Sequence, residues 1–478
     1  MPNLEEFLAK NKSMIIAPAG YGKTHTIIEC VKLCEAGKKC LILTHTHAGI
    51  ASIKEKMKRE TVESSKYSLE TISSFTLQFL NAFHIDKDSI PNVESGSTYF
   101  NFAIDATIKA LQAKPVKEVI KSSYSRLIVD EYQDCTQKQH QLILSLSNIL
   151  STHILGDPLQ GIFGFKGSVL VDMESDEEMV GLNQNKQELD VPWRWNNTGA
   201  EGLGQSLVSI RSSLLNQEKI DLNHYRSNIE VIIVDENNYN LYMQTIRQKI
   251  YASQTQSLLL IHPKTENPAF RLNIVKQCPP IRLIEAIDEK IFYEYAKQFD
   301  EKYGEDLIAS ILSLMRGITS NTEIKKWFKD DNTLINKKSD TDKKVSNDLS
   351  KAIDQLLQNK TYYNIGILIE KILILPKNKC YRKELLFNIH ESLRSSHLTG
   401  DTVYESMKKN RDVVRRQGRN VIGKCIGTTL LTKGLEFDTV IVLNAHQFKD
   451  PKHLYVALTR ASRKLIIITA NPVLSPYN

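Results

Sequence analysis

The sequence predicts an α/β protein built on two parallel sheets, each wound by helices on both faces, with mostly helical insertions. Three observations carry this. Short apolar runs bounded by turn residues recur in two groups, one early in the chain and one late. Helical patterns separate the runs within each group. A long middle segment, roughly 286–414, carries amphipathic stretches and no strand signal.

The early runs are MIIAPAG (14–20), CLILT (40–44), LIVDE (127–131) and HILGD (153–157). The late runs are IEVIIV (229–234), SLLLIH (257–262), TVIVLNA (439–445) and KLIIITA (464–470). Runs this short, rich in β-branched residues and Leu, suit strands buried on both faces of a parallel sheet. A helical pattern over 24–36 ends at Gly37, a natural C-terminal stop. Stretches such as YYNIGILIEKILIL and YRKELLFNIHESLRSS make the middle segment an expected helical insertion in the second sheet domain. Within it, 321–350 has seven Lys against six Asp and Glu, and reads as a solvated loop and helix face.

Composition narrows the class. Of 478 residues, 41% are hydrophobic and 24% charged, as in soluble globular proteins, which excludes disordered and collagen-like chains. No stretch approaches the ~18 apolar residues that span a bilayer, and MPNLEEFLAKNKS lacks the apolar core of a signal peptide. The seven cysteines include no CxxC pair, which argues against a disulfide framework or zinc ribbon and fits reduced thiols in the cytoplasm. A net charge of +7 is compatible with a polyanionic partner.

The chemistry begins after the first run. Ala17, Gly20, Tyr21, Gly22, Lys23 and Thr24 spell AxxGxGKT, a Walker A loop with Ala17 in place of the usual first glycine. Its glycines let backbone N–H groups turn around phosphate oxygens; Lys23 adds a point charge, and the Thr24 hydroxyl can ligate Mg²⁺. His25 follows in the same helix turn. LIVDEYQD ends another strand with Asp130 and Glu131. A strand-terminal Asp can hold Mg²⁺, and the next carboxylate can orient or deprotonate an attacking water. The pairing predicts hydrolysis of a nucleoside triphosphate.

Six further segments follow in order: THTHAG (44–49), TISSF (71–75), GDPLQGIFGFKG (156–167), LDVPWRWN (189–196), GTTLLTKGLEFD (427–438) and LYVALTRAS (454–462). Together with the Walker A loop and LIVDEYQD, they resemble the motif series of superfamily 1A DNA helicases of the UvrD/Rep type. The resemblance implies two RecA-like motor domains, ATP and Mg²⁺ as cofactors, and single-stranded DNA or a 3′-tailed duplex as partner. It implies a first domain over 1–80 and 121–188 with a small insertion at 81–120. The second would cover 189–285 and 415–478, with the helical insertion at 286–414.

Roles come with the resemblance. Gln160 would sense the γ-phosphate, while Arg194 and Arg460 would be arginine fingers. Trp193 would stack on adenine and Glu436 would reach the ribose. Thr44, Thr46, Phe75, Phe165, Lys166 and Thr428 would lie along the DNA, Phe165 as the first stacking platform and Phe75 with a core reading beside it. The chain also departs from the family. No Gln precedes the first strand, where the family reads adenine; His47 and Ala48 replace Asn and Lys, and Leu430 replaces His. The accessory segments are short, as in a reduced member. KKNRDVVRRQGRNVIGK concentrates Lys408, Lys409, Arg411, Arg415, Arg416, Arg419 and Lys424 against Asp412, with contact to duplex or a solvated helix face as open alternatives. The leading expectation is an ATP-driven translocase or helicase moving 3′→5′. The alternative is an ATP-gated, DNA-sensing regulator of a partner nuclease, as reduced helicases occur beside nucleases in bacterial defence operons.

Overall fold

The computed structural model describes residues 3–34, 37–83, 86, 89–91, 97–164, 169–263, 268–285, 290–417, 421 and 423–477. The chain divides into two compact units, Met1–Pro263 with Thr432–Asn478, and Lys264–Leu431.

The first unit holds one complete parallel sheet of six strands: β1 (Lys12–Ile16), β2 (Lys39–Thr44), β3 (Tyr67–Thr71), β4 (Tyr124–Val129), β5 (Ser151–Gly156) and β6 (Lys186–Glu188). Their order is β3-β2-β4-β5-β1-β6. The four central strands are the apolar runs read from the sequence. The edge strands β3 and β6 are only partly buried, so they carry no continuous apolar run to announce them. Because β1 lies beside β5, the chain must cross over to reach β2. Crevices at such switch points, outside the carboxyl ends of the strands, are where open α/β sheets take ligands.

The same unit holds four more parallel strands: β7 (Glu230–Ile233), β8 (Leu258–Ile261), β9 (Phe437–Leu443) and β10 (Ala461–Thr469), in the order β8-β9-β10-β7. The two strand groups thus lie within one compact unit. The helix after the phosphate loop spans Lys23–Lys32 and ends in a turn at Leu33 and Cys34, earlier than the Gly37 stop suggests. Helices also cover Ile72–Phe83, Ser97–Ala110 and Lys114–Ser123.

The second unit is mainly helical, with helices Lys290–Glu301, Gly304–Ile318, Asp340–Gln358, Tyr362–Leu373, Lys383–Thr399 and Val403–Gln417. Leu307, Ile311, Leu349, Ile365 and Ile389 share its own apolar core. In the segment 321–350, Trp327, Phe328 and Leu349 are buried, so only part of it is a solvated face. A short parallel pair, Arg282–Leu283 with Lys424–Gly427, completes this unit. No helix among the described residues is long and apolar enough to cross a membrane.

Phe75 belongs to the core beneath the first sheet, 1% exposed, with the Phe79 ring centroid 4.8 Å away. The helix Ile72–Phe83 turns it inward with Ile72 and Leu80, which corrects its placement as a DNA contact. Phe75→Ala is expected to cost about 3–5 kcal/mol of stability, the range for emptying a buried aromatic site. Urea denaturation measures it; full stability with lost DNA affinity would restore the contact reading.

Candidate nucleotide site

The phosphate loop leaves β1 at Ala17, whose N–H donates to the Gly156 carbonyl of β5 (2.8 Å). Gly20 and Gly22 have φ of +80° and +91°, left-handed values that glycine adopts without strain. Space forces the same choice. A Cβ on Gly20 would lie 2.9 Å from Arg194 Cβ, and one on Gly22 would lie 3.2 Å from Trp193 Cδ1. The Arg194 N–H donates to the Gly20 carbonyl (2.9 Å), so the segment Trp193–Asn196 roofs the loop directly. No side chain caps the helix Lys23–Lys32, leaving its first N–H groups for an anion. Thr24 and the exposed His25 occupy its first turn.

Lys23 lies partly buried between two carboxylates. Its Nζ is 3.2 Å from Asp130 Oδ1 and in close contact with Glu131 Oε1. Burial disfavours the ammonium, but Asp130 and Glu131 outweigh it and hold the Lys23 pKa above the ordinary value. Burial would raise the Glu131 carboxyl; Lys23 and then Lys433 instead bring it down to about 2. Asp130 is raised, because burial outweighs Lys23 there. Glu131 also has φ +54°, a left-handed conformation costing about 1–3 kcal/mol in a non-glycine residue. It opens the short 3₁₀ turn Tyr132–Asp134, whose Gln133 donates to Glu131 Oε2. The Thr24 hydroxyl and Asp130 offer the hard oxygen donors that Mg²⁺ prefers. Asp130 Oδ1 is held by the Lys23 ammonium alone, so a cation there would share or displace that one contact.

Below these carboxylates lies a second buried pair. Lys433 Nζ reaches Asp134 Oδ2 at 2.5 Å and Oδ1 at 2.7 Å, and also donates to the Gln160 carbonyl. The Phe163 ring centroid lies 4.5 Å from the same ammonium. Burial raises Asp134 to about 6 against the pull of Lys433. His45 is lowered to about 4 by burial, with Lys433 and Lys23 adding to the effect, and its Nε2 lies 3.5 Å from Cys135 Sγ. The Gln160 carboxamide is fixed by its Nε2 donating to Asp157 Oδ2 (2.8 Å).

The two arginines are engaged elsewhere. Arg194 Nη2 pairs with Glu436 Oε1 (2.6 Å), and its Nη1 donates to the Thr459 carbonyl. Arg460 is 2% exposed and donates to the Val456 and Leu435 carbonyls and to Thr459 Oγ1 (3.0–3.1 Å). Burial, then Arg194, lowers Arg460 to about 10, opposed by Glu436 and Glu131. Trp193 is half-exposed over Gly22, while Trp195 is core, its indole N–H donating to the Ala461 carbonyl (2.9 Å).

Thr44 is buried at the end of β2, which corrects its assignment as a surface contact. Thr46 is exposed and caps the helix His47–Arg59, accepting from the Gly49 N–H (3.0 Å). Thr428 lies in the second unit, buried, accepting from the Leu431 N–H (3.2 Å). Phe165 and Lys166 lie outside the described residues, as do the side chains of Arg411, Arg415, Arg416 and Arg419. Lys408 pairs with Glu405 and Lys409 with Asp401, so these two members of the basic stripe are satisfied locally.

Sequence reasoning missed Lys433, Asp134, Gln133, Asp157, Arg211 and Tyr455. Five of the six lie inside the motif segments GDPLQ, DEYQD, TKGLE and YVALTRA. Arg211 carried no signal at all.

A phosphate loop, a strand-end carboxylate pair and two arginines meeting within one unit of two parallel strand groups define a P-loop nucleotide-binding protein. A model of an AAA domain matches residues 3–166, and one of a UvrD-like helicase C-terminal domain matches 426–468. The two matches support a likeness to the UvrD-like superfamily 1 helicases. Gabija protein GajB of Bacillus cereus (strain VD045) is 24% identical over 393 residues, covering 79% of this chain and 69% of that protein. One component of the ATP-dependent helicase/nuclease of Lactococcus lactis (strain IL1403) is 28% identical over 98 residues, covering 20% of this chain and 8% of that component. The crystal structure of Pif1 helicase from Candida albicans aligns over 99% of this chain and 95% of its own, with TM-score 0.43 and 13% identity.

Lys433→Met would strand the buried Asp134 carboxylate. It is expected to cost about 3–5 kcal/mol when that group is charged. Without the ammonium, the Asp134 pKa rises beyond its present value of about 6. The carboxyl is then neutral in the folded state at about pH 5, so the loss is smaller there than at about pH 8. Urea denaturation at the two pH values checks the sign. An equal loss at both would show that Asp134 is not what Lys433 supports.

Proposed function

We propose that the chain is an ATP-driven translocase on single-stranded DNA, moving 3′→5′, with weak strand separation of its own. We take 1–188 and 189–478, each with its insertion, as the two motor halves. The observation that supports this reading is the phosphate loop with Asp130 and Glu131 paired to its Lys23 and with the Arg194 N–H on its Gly20 carbonyl. ATP would seat its phosphates on the N–H groups of the loop and draw Lys23 away from Glu131. Thr24 and Asp130 would hold Mg²⁺, which neutralises charge on the phosphates when bound. Glu131, freed from Lys23 and ionised at neutral pH, would orient the attacking water. Gln160 would read the γ-phosphate from its seat on Asp157. Trp193 would offer its exposed face to the base, and Glu436 would be released to the ribose once Arg194 turns to phosphate.

Both arginines must leave partners before they can act. A finger contributes on the order of 10³–10⁵ in rate, so their engagement with Glu436 and backbone carbonyls favours slow basal turnover that DNA accelerates. The same observation favours the second reading, an ATP-gated DNA sensor that regulates a nuclease. The name of the Lactococcus relative joins helicase and nuclease, which supports a nuclease as partner.

Hydrolysis measured alone and with single-stranded DNA, duplex and RNA tests the reading. Lys23→Ala is expected to abolish it. Glu131→Gln is expected to bind ATP yet turn over about 10²–10⁴-fold more slowly, the range for losing a positioned general base. Parent-rate turnover by Glu131→Gln would overturn the catalytic assignment. On a 3′-tailed duplex the isolated chain should displace little strand, whereas rapid processive unwinding would contradict the translocase reading as stated.

A further inference from the structure

Behind the phosphate loop runs a buried polar chain that the nucleotide chemistry does not itself require. Asp157 is fully buried, and its two carboxylate oxygens hold different partners. Oδ2 accepts from Gln160 Nε2 (2.8 Å). Oδ1 accepts from the Leu159 N–H (3.2 Å) and from Arg211 Nη1 (2.7 Å). Arg211 comes from the helix Glu201–Leu215 and is itself buried. Its guanidinium lies 5.4 Å from the ring centroid of Tyr455, in the helix Pro451–Leu458 just ahead of Arg460. The Tyr455 hydroxyl accepts from the N–H of Ala19, inside the phosphate loop (3.4 Å). Tyr21, also in that loop, is pushed up to about 12 by burial against the pull of Arg211.

We infer that Arg211 is a positioning residue that ties the γ-phosphate-sensing glutamine to the phosphate loop and to the helix that leads into the second arginine finger. A planar guanidinium can hydrogen-bond Asp157 and stack on Tyr455 at once, which an ammonium cannot do. Movement of Gln160 toward a γ-phosphate therefore pulls on Asp157, and through Arg211 on Tyr455 and its neighbour Arg460. The inference rests on the proposed nucleotide site and names what transmits its state.

The test compares the parent with Arg211→Lys, which keeps the charge opposite Asp157, and with Tyr455→Phe, which keeps the ring but loses the hydroxyl on Ala19. Affinities for MgATPγS and for a single-stranded oligonucleotide are measured separately and then each in the presence of the other, alongside the thermal midpoint. Arg211→Lys should bind each ligand alone within about threefold of the parent, yet lose roughly tenfold of the effect of one on the other. Tyr455→Phe should lose a smaller part of the same coupling. Coupling equal to the parent in Arg211→Lys would overturn the inference. So would a parallel loss in both affinities with a lowered thermal midpoint, since that marks Arg211 as merely structural. A parent that binds no nucleotide would sink the underlying reading, and this inference with it.

Discussion

The ammonium of Lys23, held between Asp130 and Glu131, is the interaction on which the site depends. Three charges drawn partly out of water together are costly to desolvate unless each is paired. The pairing requires the end of β4 to sit beside the start of the phosphate-loop helix, two strands away from β1 in the sheet. The crossover between β1 and β2 and the left-handed turn at Glu131 meet that requirement.

The other charges repeat this pattern. Lys433 neutralises Asp134, Arg211 neutralises Asp157, and Arg194 neutralises Glu436. Each of these pairs joins segments far apart in the chain. Such pairs add little net stability, because desolvation offsets most of the attraction. What they add is geometry: removing one partner leaves a buried charge, so the segments are held in register. The exposed Glu436 end of the Arg194 pair is the one most easily exchanged for a ligand.

Much of this was legible in the sequence, for reasons tied to particular residues. The central strands are buried on both faces, so runs such as LIVD and CLIL announce them. The glycines at 20 and 22 stand where positive φ and close packing leave no alternative. Lys433 and Asp134 lie inside recognisable motifs, but their pairing is a tertiary fact that no local pattern encodes. Arg211 was invisible because an arginine on an amphipathic helix reads as surface until Asp157 is seen beneath it. Phe75 and Thr44 misled in the opposite direction, since a hydroxyl or ring near a strand end suits a ligand and a core equally well. The edge strands β3 and β6 went unseen because half-buried edges lack an apolar run.

The central claim, that the phosphate loop roofed by Trp193 is a working ATP site, is tested most directly by tryptophan emission during titration with MgATPγS. Trp195 and Trp327 are buried, whereas Trp193 is half-exposed above Gly22. The account predicts a saturable change in emission in the parent, reversed by competing ADP and absent in Trp193→Phe. A parent whose emission does not respond, with no nucleotide retained on equilibrium dialysis, would contradict it.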